Sequence, residues 1–231
     1  MRQAEQFAIE DADYIIKLRR YIHQHPELSF KEVKTTELID KELKECGIEV
    51  ITWPGKTGVL GILKGAHPGK TLALRSDIDA LPLTEQSGLD FHSLNEGVAH
   101  CCGHDIHMSV LLGTARVLSK MKDHIHGTVK FFFQPAEESL GGSKDFVARG
   151  VMENPKVDAI FALHCWPDIP EGTIGVRAGS FMASSDSVDI KIIGKAGHAA
   201  HPHRSIDPIV AAAAVVQGIQ TIVSRETAPI D

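Results

Sequence analysis

Short apolar runs alternate with helix-like segments along most of the chain, and this alternation restricts the fold more than any other feature. Residues 48–52, 58–64, 71–75, 129–133 and 157–163 read as strands, and residues 67–70, His-Pro-Gly-Lys, read as a turn. Tyr14, Ile15, Leu18 and Ile22 recur at helical spacing over residues 13–23, and the pattern stops before Pro26. Ser29 and Glu32 form a capping-box pattern that opens a second helix running to Cys46, with Gly47 as its stop. Residues 105–121 form a long amphipathic helix, and residues 143–149 a short one ended by Gly150. Strands alternating with helices imply an α/β domain with a largely parallel sheet. In such sheets, sites form beyond the carboxyl ends of the strands. The polar segments 76–82, 135–142 and 164–167 each follow a strand, so they are expected at one sheet edge.

The pattern changes near residue 184. Val188, Ile190 and Ile192 alternate with Asp189 and Lys191, as in a half-solvated strand. Residues 208–223 then read as an alanine-rich helix. This is the opening of a second, smaller domain, which gives residues 1–183 and 184–231 as the two expected units.

Composition excludes several classes. Of the 231 residues 43% are hydrophobic, too many for a disordered chain. No run of about 18 apolar residues appears, so no membrane span is expected. A net charge of −6 argues against nucleic acid as a partner. The first residues carry no secretory pattern, and Cys46, Cys101, Cys102 and Cys165 show no disulfide-like spacing. The cytoplasm is therefore the expected compartment. Thirteen histidines sit in short clusters with acids and cysteine, which points to metal.

Cys102 and His104 flank Gly103 at a helix start, and both side chains bind divalent cations. The plainer reading is a buried cysteine beside a capping histidine. Glu137 and Glu138 follow an apolar strand directly, where two carboxylates are costly unless something positive offsets them. Adjacent side chains diverge, so one can hold a metal while the other acts as a base. A solvated acidic loop is the plainer alternative. His164 ends another apolar strand, where a structural histidine is the commoner case. Asp77 and Asp79 share a side of an extended segment and can bind metal or orient its ligands. The Gly197–His203 tract reads as a metal site, an anion-binding loop or a polar turn.

At these residues the chain resembles the M20 metallopeptidase-type amidohydrolases, in their aminoacylase, hippurate hydrolase and auxin-conjugate hydrolase branch. The resemblance rests on YIHQHPELSFKE (21–32), LRSDIDALPL (74–83), HCCGHDIHM (100–108), FFFQPAEES (131–139), ALHCWP (162–167) and GHAAHPHRSIDP (197–208). These stretches occur in the family's order and span nearly the whole chain. The resemblance implies a three-layer α/β/α metallohydrolase catalytic domain followed by the beginning of a small α+β, ferredoxin-like lid. It implies two divalent metal ions (Zn, Mn, Ni or Co) held by Cys102, His104, Glu138 and His164. Glu137 matches the general base acting on a water between the metals. His198 matches a lid histidine that stabilises the oxyanion. Asp79 matches an acid that supports the ligands from behind, and Asp105 closes the family's Cys-Gly-His-Asp motif.

The implied activity is hydrolysis of the amide bond of N-acyl amino acids, small-molecule substrates, by an enzyme that dimerises through its lid. A dipeptidase or N-acetyl-diamino acid deacetylase is the rival of the same family, and an inactive metal-binding fragment the rival of another class. The family has Ala where Cys101 stands and Met where His201 stands, and neither change removes a ligand. Family members are longer, with a further ligand histidine after the lid, and no histidine follows His203. The resemblance thus implies a truncated chain with an unfinished lid, prone to associate and weakly active or inactive alone.

Overall fold

In the computed structural model, residues 2–139, 141–182 and 187–226 are described. The chain divides into two units, residues 1–171 and 172–231. The expected boundary at 183/184 lies outside the described residues.

The first unit is built on a five-stranded sheet. Helix α1 (Arg2–Gln24) and helix α2 (Val33–Glu45) precede strands β1 (Glu49–Ile51), β2 (Val59–Lys64) and β3 (His67–Asp77). Helix α3 (His104–Lys120) leads to β4 (His126–Gln134), then helix α4 (Gly142–Ala148) to β5 (Ala159–Ala162). The strand order is β1-β2-β4-β3-β5. The strands β4, β3 and β5 run parallel, while β1 pairs antiparallel with β2 and β2 antiparallel with β4.

The sheet is therefore mixed rather than largely parallel. After β2 the chain passes around the start of β4, where Gly65 N–H donates to Gly127 O and Ala66 N–H to Lys122 O. That crossing leaves a slot that β4 fills, so β2 and β3 face it in opposite directions. Gly127 has φ +91°, and a Cβ there would overlap Lys70 O, so only glycine fits the crossing. Residues 67–70, expected as a turn, are instead the extended start of β3. The register shifts between His67 and Thr71.

Period-two alternation divides the core. Phe131 and Phe133 face α2 and α3, in a cluster with Ile39, Leu43, Val59, Met108 and Leu112. Phe132 faces the other way, with Leu60, Ile62, Phe146 and Val151. Helices thus lie on both faces of the sheet, as the three-layer expectation has it. Strand β5 is apolar, as expected, yet Ile160 and Phe161 on it are exposed. Helix α1 begins well before residue 13 because α3 supplies partners for its first half. Lys120 and Arg116 pair with Asp11, and Lys120 lies over the Phe7 ring.

The capping box does not form. Glu32 is the N-cap of α2, but its side chain makes no capping bond. Glu27 takes that role, accepting from the backbone N–H groups of Lys34 (3.2 Å) and Thr35 (2.8 Å). Ser29 and Glu32 turn inward instead: Ser29 donates to Asp79 (2.6 Å), and Glu32 is fully buried.

In the second unit, residues 188–193 do not form a strand, because among the described residues they have no sheet partner. An isolated antiparallel bridge joins Lys195 and Ile206. Helix α5 (Pro208–Thr221) is capped by Asp207, which accepts from Ile209 N–H at 2.9 Å. The helical run Pro208–Glu226 passes the test for a membrane-crossing helix by length and composition only. One 18-residue window within its 19 residues reaches a mean hydropathy of 1.2. An alanine-rich helix built to pack on a sheet meets the same test.

Candidate metal centre

Because β3, β4 and β5 are parallel, their carboxyl ends open on one edge. Strand β3 ends at Asp77, with Asp79 just beyond; β4 ends at Gln134, followed by Glu137 and Glu138; β5 is followed by His164. The N-terminus of α3 brings His104 to the same edge, with Cys102 one residue before its N-cap, Gly103. A helix N-terminus favours thiolate and carboxylate charge.

The candidate ligand atoms converge in two overlapping groups, each within 4.8 Å: Cys102, His104 and His164, and His104, Glu137 and Glu138. Cys102 Sγ lies 3.4 Å from His164 Nε2. His104 Nε2 lies 3.7 Å from Glu138 Oε1, 3.9 Å from Glu137 Oε2 and 3.7 Å from Asp77 Oδ2. Its other nitrogen, Nδ1, donates to the backbone oxygen of Asp79 (2.9 Å). That bond fixes the tautomer and leaves the Nε2 lone pair toward the acids. Nε2 is buried and has no hydrogen-bond partner. A buried, unpartnered nitrogen facing carboxylates and a thiol is a donor set that fits a divalent cation.

The electrostatics agree. Burial and the neighbouring Glu138 push the Glu137 carboxyl above its ordinary range. Burial and Glu138 likewise push the Cys102 thiol up to about 12. Burial alone would lower His104, but Asp79, Asp77 and Glu137 outweigh it and raise it. Each shift has one cause in common, a shortage of positive charge among clustered acids.

Asp79 is a support. Burial would raise its carboxyl, but bonds from His104, Ser29 and the backbone N–H groups of Glu138 and Glu137 hold it below the usual range. Those two backbone bonds are 3.0 Å each, to separate carboxylate oxygens. Asp105 points elsewhere: its Oδ2 lies 2.8 Å from both Arg19 Nε and His23 Nδ1, which ties α3 to α1. His198 is in the second unit, where its Nδ1 accepts from Ala200 N–H at 3.1 Å.

His107 was missed in the sequence. Its Nδ1 lies 2.7 Å from Asp77 Oδ1, and its Nε2 accepts from Cys165 N–H at 2.9 Å. It therefore fixes the backbone beside His164. The signal was there, because His104 and His107 are three apart and share a helix face. Burial would raise Asp77, but His107 and Arg75 outweigh it and bring it down to about 2.

Gly103 has φ +85°, and a Cβ on it would overlap Cys165 Sγ. Gly103→Ala is expected to displace Cys165 and draw His164 from Cys102. Zinc titration calorimetry should then show affinity reduced by about 10–100-fold, as for lost ligand support.

Comparison with known proteins follows the same lines. The family model for peptidase family M20/M25/M40 matches residues 73–230. An N-acetylcysteine deacetylase of Bacillus subtilis is 48% identical over 91% of this chain and 55% of that protein. An N-acyl-L-amino acid amidohydrolase of Geobacillus stearothermophilus is 44% identical over 94% of this chain and 58% of that protein. A crystal structure of a Bacillus subtilis dinuclear metal binding peptidase from the M20 family superposes with a TM-score of 0.68 at 45% identity. It covers 75% of this chain and 47% of that one. The chain thus spans little more than half the length of these curated relatives.

Proposed function

The chain belongs to peptidase family M20/M25/M40, and on that premise we propose that its site serves metal-dependent hydrolysis of the amide bond in N-acyl amino acids. The observation that carries this reading is His104 Nε2, buried, unpartnered and facing the Glu137–Glu138 pair. The names of the two relatives, a deacetylase and an amidohydrolase, support the substrate class.

We assign Cys102, His104, Glu138 and His164 to holding two divalent ions, drawn from Zn, Mn, Ni and Co. When bound, such ions polarise a carbonyl and acidify water. Glu137 is the base: its side chain is the more exposed of the pair, at 41% against 24% for Glu138. That exposure leaves its carboxylate free to take a proton from water and return it to the departing amine. Asp79 keeps both glutamates in place through their backbone N–H groups. His198 is assigned to the oxyanion on the strength of its motif alone. Pairing of two chains through residues 184–231 belongs to the same reading, supported by Ile209, Val210 and Val216, which stand exposed on α5.

The test is release of free amino acid from a panel of N-acyl-L-amino acids, before and after chelation. Activity lost on chelation and restored by one of the four metals is the expected result. Turnover that survives complete metal removal would overturn the reading.

A further inference from the structure

We infer that Glu32 is a positioning residue for the metal-binding turn, an assignment that rests on the metal-hydrolase reading of this site. Three successive backbone N–H groups follow Pro135, and all three end on buried carboxyl groups. Ala136 N–H donates to Glu32 Oε1 at 2.8 Å. Glu137 and Glu138 N–H donate to Asp79 Oδ1 and Oδ2, at 3.0 Å each. Successive N–H groups that point one way form a cradle for acceptor oxygens. Here the carboxyl groups come from the chain itself, one from the start of α2 and one from beyond β3.

Ala136 stands at the centre of this clamp. It has φ +53°, a left-handed conformation that a residue with a Cβ adopts only when its surroundings hold it there. Glu32 supplies the hold. Its side chain is fully buried, and its second oxygen accepts from Thr57 Oγ1 at 2.7 Å. Thr36 and Gly58 fix the same corner, with Gly58 N–H donating to Thr36 Oγ1 at 2.9 Å. Glu32 is thus locked from behind and presents one oxygen to the strained residue immediately before Glu137. If Ala136 relaxes to negative φ, the following peptide turns, and the carboxylates of Glu137 and Glu138 leave His104 together. The side-chain contacts of Glu32 are with Thr57 Oγ1 and Ala136 N–H, so it acts through the backbone.

The test uses the full 231-residue chain with Co²⁺ alone as the probe, read by its visible absorption. Glu32→Ala, shown to be folded by circular dichroism, is expected to bind Co²⁺ about 10–100-fold more weakly, with the Cys102 thiolate-to-cobalt band unmoved. Glu32→Gln keeps an oxygen for Ala136 N–H and should restore affinity to within about threefold of the parent, as befits retained geometry. A general structural defect would shift the thiolate band and spare no variant. The Ala136 amide proton, read by nuclear magnetic resonance, should move in Glu32→Gln as its acceptor changes from carboxyl to carboxamide oxygen. An unmoved Ala136 amide in Glu32→Gln overturns the assignment even if Glu32→Ala does not fold. Folded Glu32→Ala that binds Co²⁺ as tightly as the parent overturns it too. A parent chain that takes up no Co²⁺ overturns the metal-site reading, and this assignment with it.

Discussion

Glu137→Gln, made in a chain of the relatives' full length, is expected to lower hydrolysis of N-acyl amino acids by about 10²–10⁴-fold relative to the parent of that length, the range of general acid–base catalysis. The variant keeps the volume and the backbone N–H that Asp79 holds, so the turn stays in place. It loses only the capacity to take a proton. Metal content, measured by elemental analysis, should therefore be unchanged. Undiminished turnover at full metal content would remove Glu137 from its assigned role.

Cys102→Ala should have the second large effect, on metal binding itself. Losing a ligand costs more than losing a ligand's support, so affinity should drop by more than about 100-fold. Its pH dependence carries a separate signature. In the metal-free protein the thiol is pushed up to about 12, so it is protonated at neutral pH. A metal that takes the thiolate must displace that proton, and protons therefore compete with metal. Affinity in the parent should rise with pH, by about tenfold per unit from this group. In Cys102→Ala that contribution disappears and the slope falls by one. Titrations with Zn²⁺ between pH 6 and 8 would show both, and an unchanged slope would mean that the sulfur does not bind.

Most strands and helices of the first unit were legible because apolar spacing reports burial directly. The convergence of residues 77–79, 137–138 and 164 at one edge was legible for the same reason, since each follows a strand. The strand order was not. Whether β4 enters between β2 and β3 depends on a crossing at Gly65 and Gly127, where the information lies in the absence of a Cβ. Ser29 and Glu32 misled for a different reason. Their spacing is that of a capping box, but the partner Glu32 finds is Ala136, 104 residues away. A local pattern cannot report a distant, buried acceptor. His107 lay within the helical pattern and was passed over, because its role follows from Asp77 and Cys165, which only the fold brings near.

The mixed sheet also bears on how the protein folds. The antiparallel pair β1–β2 closes locally, within residues 49–64. The parallel pairings β3–β4 and β3–β5 join segments separated by α3 and by α4, and contacts so far apart in the chain form slowly. Glu138 and His164 lie on the slow side. An ion that meets the emerging chain finds only Cys102 and His104 close together, two residues apart. Glu138 and His164 arrive when the parallel strands align. On the proposed ligand set, high-affinity capture is expected only late in folding, once the last parallel strand is in place.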